Sequence, residues 1–388
     1  MQPFIFETTK SIVSEIGAVK RIVEFCAKLN ITKPLIVTDQ GIVNCGLLSA
    51  IKEPLLAAKI DGFYFDQVIA DPPESLVNEA VGFAKQHAID GVIGFGGGSS
   101  LDTAKLVSLL ANSDELIADI YGIDNITGQR LPLILVPTTA GTGSEVTPIS
   151  IVTTGETTKA GVVSNVLLPD VALLDAELTV GLPGQVTAAT GIDAMVHAIE
   201  AYTSAIKKNP YSDLLAKQAL ELLANNIVEA TFNGKNLHAR QAMLLGACLA
   251  GQAFANAPVA AVHALAYPLG GHFHIPHGLS NSLVLPHVMA FNLSQASEQY
   301  AQLAPHINSD INLAQSQQAI ASDLIDYIRQ LIKQLKLPTS LAELEITEQD
   351  IETLTGDALL QTRLLVNNPK LLDATDIENI YLEALRGF

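Results

Sequence analysis

The chain has 388 residues, which is enough for two domains that each bury a core of their own. Its formal net charge is −18 and its pI about 4.8, so the surface should repel nucleic acid and anionic lipid, and we expect neither as a partner. The three cysteines form no CxxC pair, and the chain opens without a basic segment followed by an apolar run. Both features are typical of a cytoplasmic protein with reduced thiols.

The first half alternates short apolar runs with stretches of helical periodicity. Such alternation predicts an open, largely parallel α/β sheet with right-handed crossovers. The predicted strands cover residues 4–8 (an edge strand), 34–39, 63–65, 91–95 and 131–136, and the predicted helices cover residues 18–29 and 74–88.

A glycine-rich loop follows the strand predicted at 91–95. Gly96, Gly97, Gly98 and Ser99 lie between that strand and a helix, where bare backbone amides and the helix dipole favour a pyrophosphate. The order is a variant of the GxGxxG fingerprint, because Ser99 stands where the third glycine would be. A flexible turn is the alternative. Asp102, one turn further on, either braces the helix or contacts the ligand.

A second polar loop follows the strand predicted at 131–136. Thr138, Thr139, Thr142 and Ser144 place hydroxyls at the carboxyl end of a strand, where open sheets bind ligands. A polar loop without function is the alternative, and a second such loop weakens it. Lys159 either neutralises phosphate charge or is a solvated lysine.

Asp39 ends the strand predicted at 34–39. An acid in that position of a dinucleotide fold accepts hydrogen bonds from the ribose hydroxyls and repels a 2′-phosphate. It therefore favours NAD over NADP, although a lone acid after a strand is also common in turns.

Beyond residue 180 strand signals give way to long helical patterns. We expect an NAD-binding α/β domain over residues 1–180 and an all-helical metal- and substrate-binding domain over 181–388, with the active site in the cleft between them. Residues 246–271 are almost wholly small and apolar, but polar interruptions indicate a buried helix rather than a membrane span. The predicted helices cover residues 186–204, 211–230, 239–256, 277–292, 313–335 and 357–365.

Five of the nine histidines fall between residues 263 and 287. Two of them, His263 and His277, stand at the two ends of a predicted turn rich in proline and glycine. Asp193 and His197 are four residues apart, which places them on one helix face. A lone histidine on such a face is usually a core residue, but the downstream cluster favours a metal. Asp193, His197, His263 and His277 would bind a divalent first-row metal through three nitrogens and one carboxylate.

Several long runs of the chain resemble motifs of the iron-containing (group III) alcohol dehydrogenases. They are GGGSSLDTAK, PTTAGTGSEVT, GIDAMVHAIEAYTS and HALAYPLGGHFHIPHGLSNSLVLPHVM. The resemblance implies an N-terminal dinucleotide-binding domain, an all-α C-terminal domain as in dehydroquinate synthase-like folds, and a homodimer or higher homo-oligomer. It also implies iron, or zinc, at the four residues named above. Its NAD contacts match Asp39, residues 96–99, Thr138, Thr139, Thr142 and, less closely, Lys159.

One position departs from the resemblance. Many family members have a further histidine four residues after the third metal ligand, and here that residue is Tyr267. A phenol has an ordinary pKa near 10 and is a poor proton acceptor at neutral pH. His272, His274 or solvent are the candidate substitutes.

These features predict a metal-dependent NAD(H) alcohol dehydrogenase or aldehyde reductase acting on a small alcohol or aldehyde. The metal would activate the substrate oxygen while the nicotinamide exchanges the hydride. A glycerol- or diol-type dehydrogenase and a dehydroquinate synthase-like lyase are the alternatives. The lyase would need several lysines and arginines near the histidines, where the sequence offers few. A regulator without turnover is a third reading. The ligand set does not separate iron from zinc.

Overall fold

The computed structural model describes residues 3–155 and 158–388. The chain divides into two compact units, Glu7–Gly181 and Leu182–Phe388, and the second also takes in residues 3–6.

The first unit contains a parallel sheet of six strands in the order β1-β9-β6-β4-β2-β3. A smaller sheet, β5-β8-β7, includes an antiparallel hairpin of β7 and β8. The strands are β1 Ile12–Ser14, β2 Pro34–Asp39, β3 Phe63–Val68, β4 Gly91–Gly96, β5 Gly122–Ile123, β6 Leu133–Pro137, β7 Ile149–Thr154, β8 Thr158–Val163 and β9 Val171–Leu174.

Helices cover both faces of the large sheet, which explains why its strands are continuously apolar. Alternate residues of β2 belong to opposite cores: Leu35 and Val37 pack on one face and Ile36 on the other. All three are fully buried. The helices of this unit are α1 Ile22–Lys28, α2 Gln40–Asn44, α3 Ser49–Ala57, α4 Glu74–His87 and α5 Gly98–Leu110.

The strand order reverses direction between β2 and β4. After β2 the chain moves outward to β3, then crosses back to β4 and continues through β6 to β9. Apart from the edge strand β1, this is the 2-1-3-4-5 order of doubly wound sheets, in which ligands bind at the carboxyl ends of the strands flanking the reversal. Asp39 and Gly96 end those two strands.

The predicted parallel sheet is confirmed, but its predicted first strand is wrong. Residues 4–8 form no strand, and the edge strand is β1, which pairs with β9. The aromatic rings explain the difference, because Phe4 and Phe6 pack on Tyr211 of the helical unit. The hairpin and β9 were not among the predicted strands.

The second unit is helical, and its described residues 182–388 contain no strand. Its helices are α6 Gly184–Thr203, α7 Pro210–Phe232, α8 Leu237–Asn256, α9 Ala261–Phe273, α10 His277–Ile307, α11 Gln317–Gln334, α12 Ile351–Leu359, α13 Thr362–Leu365 and α14 Ala374–Arg386.

Three predicted segments of this unit are wrong in detail. The turn expected between His263 and His277 is mostly helix α9, and only residues 274–276 separate it from α10. The single buried helix expected over 246–271 is two helices, α8 and α9, at 108° to each other. The helix expected over 357–365 is broken between α12 and α13. Pro268 lies inside α9 and is buried, so packing outweighs its helix-breaking tendency.

In the described part of the chain, no helix alone has the length and apolar character of a membrane span. The bent pair of α8 and α9 meets that test jointly, by length and composition only.

Candidate metal centre and nucleotide-binding loops

The structure brings together the four residues predicted to bind a metal. One ligand atom from each of Asp193, His197, His263 and His277 lies within 4.8 Å of the others. The Nε2 atoms of the three histidines lie 4.0, 3.9 and 3.5 Å, respectively, from Oδ1 of Asp193. Four ligands about 2.1 Å from a tetrahedral metal would be separated by about 3.4 Å, so a small contraction would close this set around an ion. The donor atoms fit divalent iron or zinc.

Electrostatics also suit a cation at this point. Burial raises the pKa of Asp193, but the neighbouring imidazoles, led by His197, and the amide of Asn281 outweigh it, so the pKa lies below its ordinary value. The carboxylate is therefore held ionised although Asp193 is only 2% exposed. A buried anion of this kind needs a positive partner.

Helices α6 and α10 approach closely at the cluster, to which α9 contributes His263. Asp193 and His197 occupy successive turns of α6, and His277 is the first residue of α10. The next residue, Gly278, has no side chain, and a Cβ there would overlap the carbonyl oxygen of Ala189 on α6. Glycine thus allows the backbone contact that brings His277 to Asp193.

Glu200 supports His263 from behind. Its carboxylate lies 2.6 Å from Nδ1 of His263 and accepts a hydrogen bond of 2.7 Å from the Val262 amide. A carboxylate can only accept a hydrogen bond, so Nδ1 of His263 carries the proton. The Nε2 atom therefore directs its lone pair into the space between the four ligand atoms. Sequence reasoning missed this residue. Its position three residues after His197, on the same helix face, was the available signal.

Asn281 is a second residue that sequence reasoning missed. Its Nδ2 donates a 2.6 Å hydrogen bond to Asp193 and lies 3.4 and 3.3 Å from Nε2 of His263 and His277. Asn281 follows His277 by four residues on α10, so the spacing again predicts a shared face. Its side chain holds the carboxylate of Asp193 in place.

The cluster is open on one side. The side chains of Asp193, His197 and His263 are at most 5% exposed, whereas that of His277 is 36% exposed. Phe254 stacks on His197 with ring centroids 4.3 Å apart and so covers one face of that imidazole. His277 is therefore the most accessible of the four side chains.

Tyr267 lies beside this opening. Its ring centroid is 5.9 Å from that of His277 and 6.5 Å from that of His263. Burial raises the pKa of its phenol and Arg363 lowers it, with the net pKa above the ordinary value. The phenol is therefore a hydrogen-bond donor at neutral pH and not a base.

Neither predicted substitute joins the four-residue cluster within the described chain. His272 is exposed, and its Nε2 lies 2.6 Å from the carboxylate of Asp357. His274 is exposed and ends α9 in a left-handed conformation, with φ of 55°. A proton transfer role for either residue stays a prediction.

In the first unit the two predicted loops and Asp39 are neighbours. Asp39 accepts hydrogen bonds from the Ile42 amide, at the start of α2, and from Oγ of Ser100, at 3.1 Å each. Gly96 has φ of 154°, and a Cβ there would lie 2.7 Å from Ser100 and 3.1 Å from Asp39. This close approach at the reversal of strand order requires glycine.

The glycine loop, residues 96–99, also adjoins the threonine loop, residues 138–144. A Cβ on Gly98 would lie 2.9 Å from Thr142, and one on Gly97 would lie 3.8 Å from Thr139. The Thr138 amide donates to the carbonyl of Gly96, which joins the ends of β6 and β4. Ser99 lies in the first turn of α5. Asp39, residues 96–99 and the loop with Thr138, Thr139 and Thr142 thus share one edge of the sheet.

Asp102 and Ser144 belong to an internal network. Asp102 accepts hydrogen bonds from Ser144, from the Ile151 amide and from the fully buried Lys105. Lys105 also donates to Ser144 at 2.8 Å. Of the two alternatives for Asp102, the structure therefore shows the brace, and cofactor contact by either residue stays a prediction. Lys159 forms an ion pair with Asp71 and is 18% exposed, so it is not a free solvated lysine.

Comparisons with known proteins agree with this geometry. A family model described as iron-containing alcohol dehydrogenase matches residues 9–176, and one described as the C-terminal part of that family matches residues 187–385. The chain is 41% identical to long-chain-alcohol dehydrogenase 1 of Geobacillus thermodenitrificans, over 96% of this chain and 94% of the relative.

Two solved structures share the fold. A crystal structure of 1,3-propanediol oxidoreductase aligns with a TM-score of 0.95 and 34% identity, over 99% of this chain and all of the other. Sulfoacetaldehyde reductase from Bifidobacterium kashiwanohense, in complex with NAD+, aligns with a TM-score of 0.88 and 27% identity, over 99% of both chains. With both halves matched in order, the chain belongs to the iron-containing alcohol dehydrogenase family.

Proposed function

We propose that this protein is an iron-dependent, NAD(H)-linked alcohol dehydrogenase that also reduces the corresponding aldehyde. The observation that carries the proposal is the buried cluster of one aspartate and three histidines in a chain of this family. Zinc fits the same ligands. A bound iron supplies Lewis acidity to the substrate oxygen, and NAD supplies the hydride acceptor.

The metal ligands of the proposal are Asp193, His197, His263 and His277. Three buried ligands hold one face of the site, and the half-open side of His277 leaves room for a small alcohol or aldehyde. Phe254 excludes water from the side of His197.

NAD binding is assigned to the edge formed by Asp39, the glycine loop and the threonine loop. Backbone amides of Gly97, Gly98 and Ser99, at the start of α5, face the pyrophosphate in this proposal. Asp39 accepts from the ribose hydroxyls and disfavours NADP. The NAD+ complex of the relative with the same fold supports this coenzyme.

The proton route runs through solvent, and Tyr267 only donates a hydrogen bond. Because the pKa of Tyr267 lies above its ordinary value, the phenol can donate a hydrogen bond to a substrate oxygen but cannot act as a base near neutral pH. Oxidation should therefore release its proton to water at the open side of the cluster. His272 is engaged by Asp357 and is not needed for this route.

The test begins with apo protein reconstituted anaerobically with ferrous iron or with zinc. NADH absorbance is followed with primary alcohols, diols and aldehydes, beside an Asp193→Ala, His263→Ala variant as control. We expect turnover that depends on metal and is lost in the control. Binding of NAD and metal without turnover of any substrate would contradict the proposal.

The alternative substrate class is a diol, which the fold shared with 1,3-propanediol oxidoreductase supports. The same panel decides between diols and simple alcohols. A cytoplasmic location and a homodimer or higher homo-oligomer stay part of the proposal. Support comes from cysteines without disulfides in the described chain and from Ile5, 79% exposed near the start of the chain.

A further inference from the structure

Glu145 directly follows the threonine loop and is a buried acid whose carboxyl group has no partner. It lies in the short 3-10 turn Ser144–Val146 and is 3% exposed. Within residues 3–155 and 158–388, no other residue forms a hydrogen bond with the carboxyl group, and no cationic nitrogen lies within 4.0 Å of it. The Thr9 hydroxyl donates to the backbone carbonyl of Glu145, which fixes the main chain of this residue but not its side chain.

The fold is destabilised by this acid. Burial raises the pKa of Glu145 to about 7, and the charge of Lys105 on α5 offsets only part of that rise. Ionisation of the carboxyl group therefore costs stability, and a neutral side chain would avoid the cost. Buried ionisable groups with displaced pKa values concentrate at functional sites. A ligand that pairs with the carboxyl group would explain why an acid stands at this position.

The side chains on both sides of Glu145 face in another direction. Nζ of Lys105 lies 2.8 Å from Oγ of Ser144 and 3.2 Å from Oγ1 of Thr147, so both hydroxyls point towards α5. Residues three apart in a 3-10 turn share a face, and the residue after the first of them points about 120° away. The carboxyl group of Glu145 is therefore directed away from the hydrogen bonds of Lys105.

The strand order places Glu145 beyond the pyrophosphate position of the proposed NAD site. Strands β2, β4 and β6 are neighbours in that order, and neighbouring strands lie about 4.8 Å apart. Asp39 ends β2, the glycine loop follows β4 and the threonine loop follows β6. With the adenosine ribose at Asp39 and the pyrophosphate at the glycine loop, the nicotinamide half of the coenzyme continues towards the threonine loop. Glu145 thus stands at the nicotinamide end.

We propose that the carboxyl group of Glu145 binds the carboxamide of the nicotinamide and so orients the ring for hydride transfer. This inference rests on the proposed function. A primary amide presents an N–H donor and a carbonyl acceptor side by side, and a protonated carboxyl group offers the matching acceptor and donor. An ionised carboxylate still accepts from the NH2 group of the carboxamide. Glu145 is a coenzyme-binding residue and takes no part in metal binding or proton transfer.

The test measures equilibrium binding of NAD+ and of ADP-ribose to the iron-loaded protein by anaerobic calorimetry. ADP-ribose has the adenosine, the pyrophosphate and the second ribose but no nicotinamide. In Glu145→Leu the Kd of NAD+ should rise roughly 5- to 150-fold, the range for a buried polar group left without its partner. The Kd of ADP-ribose should change by less than about twofold, since the variant leaves the other contacts in place.

A conservative variant and a coenzyme analogue separate hydrogen bonding from loop structure. Glu145→Gln keeps a donor and an acceptor and should bind NAD+ within about threefold of the wild type. The 3-acetylpyridine analogue of NAD+ has a methyl group in place of the NH2 group, so the wild type and Glu145→Gln should bind it more weakly than NAD+, and Glu145→Leu should not. The control is Glu115→Leu, which removes a glutamate bonded to the Thr127 and Gly128 amides beyond the far end of α5 and should bind every ligand like the wild type.

Equal losses of NAD+ and ADP-ribose affinity in Glu145→Leu would indicate a disrupted loop and overturn the inference. Wild-type NAD+ affinity in that variant, or a Glu145→Gln variant as weak as Glu145→Leu, would do the same. If Glu145→Leu does not fold, pH decides: the wild-type preference for NAD+ over the acetylpyridine analogue should increase as pH rises through about 7, where the carboxyl group loses its donor, and stay constant in Glu145→Gln. A constant preference in both would overturn the inference. A wild type that does not bind NAD+ would overturn the proposed function and this inference with it.

Discussion

Replacing Glu200 with glutamine should weaken metal binding without removing any metal ligand. In the wild type one carboxylate oxygen accepts from the Val262 amide and the other engages Nδ1 of His263. Glutamine has one acceptor and one donor in the same space. If its oxygen keeps the bond to Val262, its NH2 group faces Nδ1 and selects the opposite tautomer. The proton then sits on Nε2, where the metal requires a lone pair.

The expected magnitude follows from the geometry. Loss of such a supporting carboxylate costs 10- to 100-fold in metal affinity, or about 1.4 to 2.7 kcal/mol. The assay is a titration of apo protein with Co²⁺, which reports both affinity and ligand geometry through its absorption spectrum, with Zn²⁺ measured by competition against a chelator. Both readouts are independent of turnover.

The matched control is Glu221→Gln. Glu221 lies 3.8 Å from Nδ1 of His306 at the surface. The control therefore also replaces a glutamate beside a histidine, but at a histidine that is not one of the four metal ligands. It should bind metal like the wild type. A Glu200→Gln variant that folds as the wild type does, and binds Co²⁺ within about twofold of wild-type affinity with an unchanged spectrum, would refute the tautomer argument.

Three further predictions concern stability, each measured by denaturant unfolding. Gly278→Ala should lower the free energy of unfolding by about 1 to 3 kcal/mol and weaken Co²⁺ binding, because the added methyl overlaps the Ala189 carbonyl. The control Gly82→Ala, in open space on α4, should be neutral or stabilising. Equal effects of the two substitutions would contradict this explanation. Burial raises the pKa of Glu145 from 4.5 to about 7, so the stability of the wild type should fall as pH rises between those values. Glu145→Gln should raise the free energy of unfolding by up to about 3 kcal/mol at about pH 8 and leave it unchanged near pH 4. Burial would raise the pKa of Asp170, but its arginine and lysine partners lower it from 3.8 to about 2. Asp170→Asn should therefore lower the free energy of unfolding by about 2 kcal/mol near pH 7 and by little near pH 2. A loss of stability that does not depend on pH would contradict the ion-pair explanation.

Local patterns predicted most of the large sheet because its strands are buried on both faces. Continuous apolar runs such as residues 34–39 leave little choice of structure, and the observed β2 has those bounds. The hairpin of β7 and β8 has a weaker pattern, with Val152 buried between partly exposed neighbours. Residues 4–8 read as a strand only because their rings are apolar, and their packing partner, Tyr211, lies two hundred residues away.

The metal cluster was predictable because its chemistry is carried by residue type. Aspartate and histidine at i and i+4, with two more histidines downstream, specify donors whatever the intervening structure. The path between His263 and His277 was not predictable, since a buried helix through Pro268 contradicts local propensity. Glu200 was missed because its role depends on a contact 63 residues away in sequence.

The double role of Asp39 has a consequence for coenzyme engineering. Its carboxylate caps α2 through the Ile42 amide and also receives the Ser100 hydroxyl, in addition to its proposed contact with ribose. An attempt to admit NADP by cutting this residue back to alanine would remove a repulsive charge and a helix cap together. Serine or asparagine at position 39 keeps an acceptor for the amide while lifting the charge. The redesign therefore begins with serine or asparagine at position 39, so that coenzyme preference can be altered while the first turn of α2 stays intact.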